Sequence, residues 1–134
     1  MVVFSFILNY VANLDPIIEA AHQNLWCPTN QVHDSQTLVK QWTGKQPSEW
    51  KRGVQVKGKS LQNGTCIASF VYNPAFGYYY NESLGAHAAI YVGQTYQGII
   101  VYDQWNTQPC HKRTISFKGD GSLKNDGDQF FVIE

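Results

Sequence analysis

His87 stands at the entrance of a short apolar run, Gly85-Ala86-His87-Ala88-Ala89-Ile90-Tyr91-Val92-Gly93. A second run, Gly98-Ile99-Ile100-Val101-Tyr102, follows at once and ends on Asp103-Gln104-Trp105. Two apolar runs separated by a glycine-containing turn predict a β-hairpin, which sets an imidazole on one strand beside a carboxylate on its partner. That pairing is how a protein fixes the tautomer of a general base. If the second strand alternates regularly, Asp103 and Gln104 face opposite sides, so only one of them meets His87. The bland reading stands beside this one: a histidine in an apolar strand is usually a structural side chain, and Asp103 would serve as a cap on the hairpin end. A base of this kind needs a nucleophile, and the rest of the chain must position it.

Upstream, the pattern is helical. Asp15-Pro16 predicts a helix start, because a carboxylate cap accepts free N–H groups and proline at the first position loses nothing. Ile17, Ile18, Ala21 and Leu25 recur at helical spacing toward Trp26, after which Cys27-Pro28-Thr29-Asn30 breaks the run. A second, short helix is predicted from Ser35 to Trp42, with Asp34 or Ser35 as cap and Leu38, Val39 and Trp42 as its apolar stripe. Pro47 and Gly53 punctuate a loop around Trp50-Lys51-Arg52. From there the pattern becomes strand-like: Val54 and Val56, then Ile67 to Val71, the two strands of the hairpin, Thr114 to Phe117, and Phe130 to Ile133. Asn73 to Gly85 reads as an aromatic loop leading into the histidine strand, and makes Tyr78 and Tyr79, with Trp105, candidates for a substrate wall. Core cover is the alternative for these rings. Gly119 to Asp128 lacks the spaced acids of a calcium loop and reads as a polar hairpin turn.

A chain of 134 residues is read as one domain, 1–134, with no room for a separate cofactor domain. Ten basic residues balance ten acidic ones, which gives no global field toward nucleic acid or an anionic membrane. The three cysteines, Cys27, Cys66 and Cys110, lack zinc-finger spacing, and Cys110-His111 is adjacent rather than spaced. No metal or cofactor is therefore expected. Packing is the default for these thiols, with a Cys66–Cys110 disulfide the one pairing considered. The apolar stretch from Val2 to Val11 is too short to span a bilayer and lacks a basic start and a cleavage site, so it reads weakly as a signal remnant. Asn63-Gly64-Thr65 and Asn81-Glu82-Ser83 fit the glycosylation sequon, which matters only in a secreted eukaryotic protein.

Helices first and then an antiparallel sheet carrying histidine is a segregated α+β arrangement. Several segments, in one order, resemble the NlpC/P60-like cysteine peptidases, a papain-like superfamily that includes peptidoglycan amidases. They are Trp50-Lys51-Arg52-Gly53, Gly64-Thr65 with Ile67-Ala68-Ser69-Phe70, the histidine strand, Val101-Tyr102-Asp103-Gln104-Trp105 and Phe130-Phe131-Val132-Ile133-Glu134. The resemblance is to a small single-domain bacterial branch and runs from about Tyr10 to Glu134. It implies a papain-like α+β fold with N-terminal helices packed on a C-terminal antiparallel β-sheet, and cleavage of an amide bond in the peptidoglycan peptide stem. It further implies His87 as base, Asp103 as the orienting residue with Gln104 as its alternative, and a cysteine opening a helix as nucleophile. A secreted or periplasm-delivered monomer, an effector with an immunity protein as partner, is the implied setting, with a cytoplasmic one as the alternative.

At the matching position, Asp34-Ser35-Gln36-Thr37-Leu38-Val39-Lys40, the chain carries Ser35 where the family has its thiol. A hydroxyl is far less acidic than a thiol and forms no thiolate–imidazolium pair. Three explanations are open: an engineered replacement of cysteine, a natural loss of activity that leaves a binding module, or a nucleophile moved to Cys27 beside Pro28. Ser35 would also be an ordinary helix cap in any protein. His33 is expected to be an exposed loop histidine.

Overall fold

The computed structural model describes residues 9–134; most of the apolar stretch that begins at Val2 lies outside them. Two helices precede a mostly antiparallel sheet, so the α+β expectation agrees with the fold. Helix α1 spans Leu14–His22 and helix α2 Ser35–Lys40. The strands are β1 (Arg52–Gln55), β2 (Cys66–Ala68), β3 (Val71–Asn73), β4 (Gly77–Tyr79), β5 (Ala88–Gln94), β6 (Gly98–Trp105), β7 (Gln108–Ser116) and β8 (Phe131–Ile133). Six of them form one sheet in the order β1-β8-β2-β5-β6-β7, while β3 and β4 pair separately.

Alternation along the strands divides the core between the two faces of the sheet. Ala88 and Ile90 of β5 join Ile17, Leu38 and Val39 from the helices, with Cys66, Ala68 and Ile133, in one cluster. Ala89 and Tyr91 turn the other way, to Ile99, Val101, Ile115, Phe130 and Val132. The helices thus cover one face, α1 against β7 and α2 against β5 and β6. Both faces of β5 are apolar, which is why its sequence reads as a nearly unbroken hydrophobic run.

The departures from the sequence reading have local causes. Helix α1 starts one residue before Asp15, because the Asn13 side chain caps it by accepting the Asp15 N–H at 3.1 Å. It stops at His22, and Leu25 lies beyond it. Helix α2 stops at Lys40 rather than Trp42, and its cap is Asp34, whose Oδ1 accepts the Thr37 N–H at 2.8 Å. The predicted loop from Asn73 to Gly85 holds strand β4 and a 3₁₀ turn, Glu82–Leu84. Gly85 ends that turn at φ +106°, a left-handed conformation that favours glycine, and re-aims the chain into β5. The stretch 119–128 is not a hairpin turn, since β7 and β8 are not neighbours in the sheet. It is a crossover loop gathered around buried Asp126, which accepts N–H groups from Lys118, Gly119, Gly121 and Asp128 at 2.9–3.1 Å. Cys27, Cys66 and Cys110 are all free and buried, so the Cys66–Cys110 disulfide is not formed.

Candidate active site

The segment entering β5, the β6–β7 turn, the stretch around the 3₁₀ turn Glu82–Leu84 and the start of α2 meet around a cavity of about 790 Å³. Its lining includes His33, Ser35, Tyr80, Glu82, His87, Trp105 and Lys124. That volume suits a small-molecule or peptide segment, inside the usual range of about 300–1,000 Å³.

Asp103 is fully buried, and its carboxylate is the hub of the site. His87 Nε2 lies 2.7 Å from Oδ2, and Arg113 donates to the same oxygen from Nε at 2.9 Å, with its Nη2 at an ion-pair distance of 2.8 Å. His111 Nε2 is 2.9 Å from Oδ1, an ion-pair distance without the alignment of a hydrogen bond. Register explains the gathering. Asp103 pairs directly with His111 across β6–β7, and Arg113 lies two residues on, on the same face of β7. Burial by itself would raise the Asp103 carboxyl. The contacts from His111, His87 and Arg113, and then the charge of a protonated His87, outweigh it and hold the carboxyl well below the usual carboxylate range. An ionised carboxylate donates nothing, so Nε2 of His87 carries the proton in that bond, and Nδ1 is the nitrogen left to act as base. The Trp105 ring meets the imidazole edge-on, with centroids 6.2 Å apart, and Phe130 does the same at 6.3 Å.

Ser35 occupies the first position of α2 and is 1% exposed. Its hydroxyl donates to Glu82 Oε1 and accepts the Ala88 N–H at 3.1 Å. The same Glu82 oxygen accepts the Gln36 N–H at 2.9 Å and the Tyr80 hydroxyl at 2.7 Å. Tyr80 remains a donor there, because burial and then the Glu82 charge push its phenol well above the ordinary value. Ser35 therefore lines the same cavity as His87 while its proton is engaged by Glu82, and no hydrogen bond joins the hydroxyl to the imidazole.

Gln104 takes the opposite side from Asp103, as alternation requires, and does not meet His87. It is fully buried and clamps the loop ahead of α2, accepting the Cys27 N–H at 2.8 Å and donating to the carbonyls of Cys27 at 3.2 Å and Asp34 at 2.9 Å. It thereby fixes the backbone that delivers Ser35. Tyr78 and Tyr79 do not line the cavity. They belong to β4, where the Arg52 guanidinium lies 3.4 Å from the Tyr78 ring centre, whereas Trp105 does form part of the wall. His33 also lines the cavity, stacked on Trp26 with ring centres 4.1 Å apart, instead of standing free in a loop. Cys27 is outside the cavity lining, and burial raises its thiol above the ordinary value, neither of which suits a displaced nucleophile.

Sequence reasoning missed Glu82, His111, Arg113 and Lys124 as site residues. For His111 and Arg113 a signal existed: two basic side chains at strand spacing, opposite Asp103 once the hairpin is drawn. Glu82 reaches Ser35 from a separate turn of the chain, and no local pattern announces such a contact.

A model of the family described as domesticated amidase effector 2 matches residues 9–133. The domesticated amidase effector 2 of Ixodes scapularis is 40% identical over 87 residues, covering 63% of this chain and 56% of that protein. The chain thus spans little more than half the length of that relative. The type VI secretion amidase effector 2 protein of Salmonella typhi is 36% identical over 103 residues, 66% of this chain and 74% of the other. The solved structure of a type 6 secretion amidase effector 2 superposes with a TM-score of 0.70 at 29% identity, covering 93% of this chain and 94% of that one.

Proposed function

This chain belongs to the domesticated amidase effector 2 family, and on that footing we propose that it is built to hydrolyse an amide bond in the peptide stem of peptidoglycan. The observation that carries the reading is the buried His87–Asp103 bond of 2.7 Å beside the cavity that His87 and the first residue of α2 both line. The relatives are named amidase effectors, and the arrangement of a helix-borne nucleophile position, a histidine at the entrance of β5 and a neighbouring orienter supports a papain-like, NlpC/P60-type assignment.

In the proposed mechanism the side chain at position 35 attacks the carbonyl carbon, and His87 Nδ1 takes its proton. Asp103 holds the ring and stabilises the imidazolium that results. The carbonyl becomes an oxyanion, which the Ser35 backbone N–H at the start of α2 helps to hold. The imidazolium then protonates the departing amine as the C–N bond breaks. Water, deprotonated by the same imidazole, cleaves the acyl-enzyme and frees residue 35. Ser35 is poorly suited to the first step, because its proton faces Glu82 and its oxygen already accepts the Ala88 N–H. A thiol there, its proton transferred to His87, would form the thiolate–imidazolium pair that a hydroxyl does not.

Purified peptidoglycan incubated with the chain and with Ser35→Cys, followed by mass spectrometry of released stem fragments, tests the proposal. Release by Ser35→Cys that is abolished by adding His87→Ala is expected, with little or none from the chain itself. Release by neither form overturns the enzyme reading. The engaged Ser35 hydroxyl favours one second reading, a wall-binding module on the same scaffold, which predicts sacculus binding unchanged by His87→Ala. Delivery to the periplasm or the extracellular space, action as a monomer, and control by an immunity protein belong to the same proposal.

A further inference from the structure

Lys124 contributes a cation to the wall of this cavity that the mechanism does not use. Its ammonium lies 3.6 Å from the centre of the Trp105 ring, the ring that meets His87 edge-on at 6.2 Å. Together these distances put the ammonium within about three extended residues' length of the imidazole. Its position is built. Arg113 Nη2 donates to the Lys124 carbonyl at 3.0 Å and Ser69 Oγ donates to the Leu123 carbonyl, so the backbone carrying it is tied to the Asp103 hub and to the sheet. Arg113 also faces the Trp105 ring, at 5.3 Å, but its charge is matched by Asp103. Among the described residues no salt bridge matches the charge of Lys124. The carboxylate across the cavity, Glu82, is already taken by Ser35, Gln36 and Tyr80. Burial, and then the nearby Arg113 charge, lower the lysine from its ordinary value by more than the Asp103 and Glu82 charges raise it.

We propose that Lys124 is a specificity-determining residue, held over Trp105 to bind a free carboxylate of a peptide substrate close to the scissile bond. The inference rests on the peptidase reading of the cavity and adds the charge of the substrate. An ammonium on an aromatic face needs little reordering to receive an anion, and a carboxylate that completes the pair is preferred over a neutral amide of the same shape.

The chain as it stands serves for the test, since turnover is not needed. Stem-type tetrapeptides in which each free carboxylate is converted in turn to a carboxamide are titrated by calorimetry against the chain, Lys124→Gln and Lys124→Arg. One amidation is expected to weaken binding about tenfold in the chain. Lys124→Gln should lose the same factor for the acid and bind the amide unchanged, and Lys124→Arg should restore the preference. Equal weakening of acid and amide by Lys124→Gln, or an undiminished preference, overturns the proposal. Absence of peptide binding by the chain overturns it as well. Peptidoglycan cleavage by Ser35→Cys reports separately whether the peptidase reading survives either result.

Discussion

Replacing Asp103 with asparagine keeps the shape of the hub and removes its charge, which makes Asp103→Asn a demanding probe of the site's construction. The carboxylate is fully buried and is met by three basic side chains, from His87, His111 and Arg113. Breaking a buried pair by neutralising one partner typically costs about 3–5 kcal/mol, because the remaining charge is left desolvated. Here the His111 and Arg113 side chains are 28% and 19% exposed, and Arg113 keeps its bonds to Asn125 Oδ1 and the Lys124 carbonyl. The cost therefore falls at the lower end, about 3 kcal/mol, which corresponds to a fall in Tm on the order of 10 °C for a domain of this size.

The pH dependence carries the sharper test. The folded-state carboxyl lies below its unfolded value, so its contribution is fully present above the unfolded value of about 4 and is lost as pH falls toward the folded one. Urea denaturation of the chain and of Asp103→Asn should give a stability gap that narrows as the pH falls below about 4. A gap under about 1 kcal/mol at pH 7, or one unchanged at pH 3, would refute the claim that an ionised Asp103 ties the three basic groups together.

Three other outcomes follow from the same geometry. In a Ser35→Cys background, Glu82→Gln removes a negative charge next to the thiol, so the acid limb of kcat/KM should move to lower pH; an unmoved limb means Glu82 does not govern residue 35. Gln104→Leu strands the Cys27 N–H and two carbonyls, and should cost about 2–4 kcal/mol in urea denaturation, while in the Ser35→Cys enzyme it should lower kcat more than it changes KM. The thiols of Cys66 and Cys110 are pushed up to about 12 by burial. With Cys27 also buried, iodoacetamide should label the folded chain slowly and all three cysteines promptly after denaturation, as counted by mass spectrometry without reductant.

What could be read from the sequence, and what could not, divides along the range of the interactions involved. Strand alternation is local, so Asp103 and Gln104 were separable in advance, and the hairpin that brings His87 to Asp103 is marked by its own glycines. Helix α2 was legible for the same reason: Asp34 caps it from the adjacent position. By contrast, β8 inserts between β1 and β2, and Glu82 reaches Ser35 across 47 positions. Those contacts are decided by packing, not by periodicity. The cysteine pair considered for a disulfide failed on the same ground, since both thiols are absorbed into the core beneath the helices. The site itself combines the two kinds of information. The proposed base and orienter, His87 and Asp103, come from one hairpin, and neither side chain is bonded to the Ser35 hydroxyl. The proposed nucleophile position, residue 35, is held separately, by Gln104 on the Asp34 carbonyl and by Glu82 on the Ser35 hydroxyl. On the proposed mechanism, a change at residue 35 therefore alters activity while leaving the His87–Asp103 pair assembled.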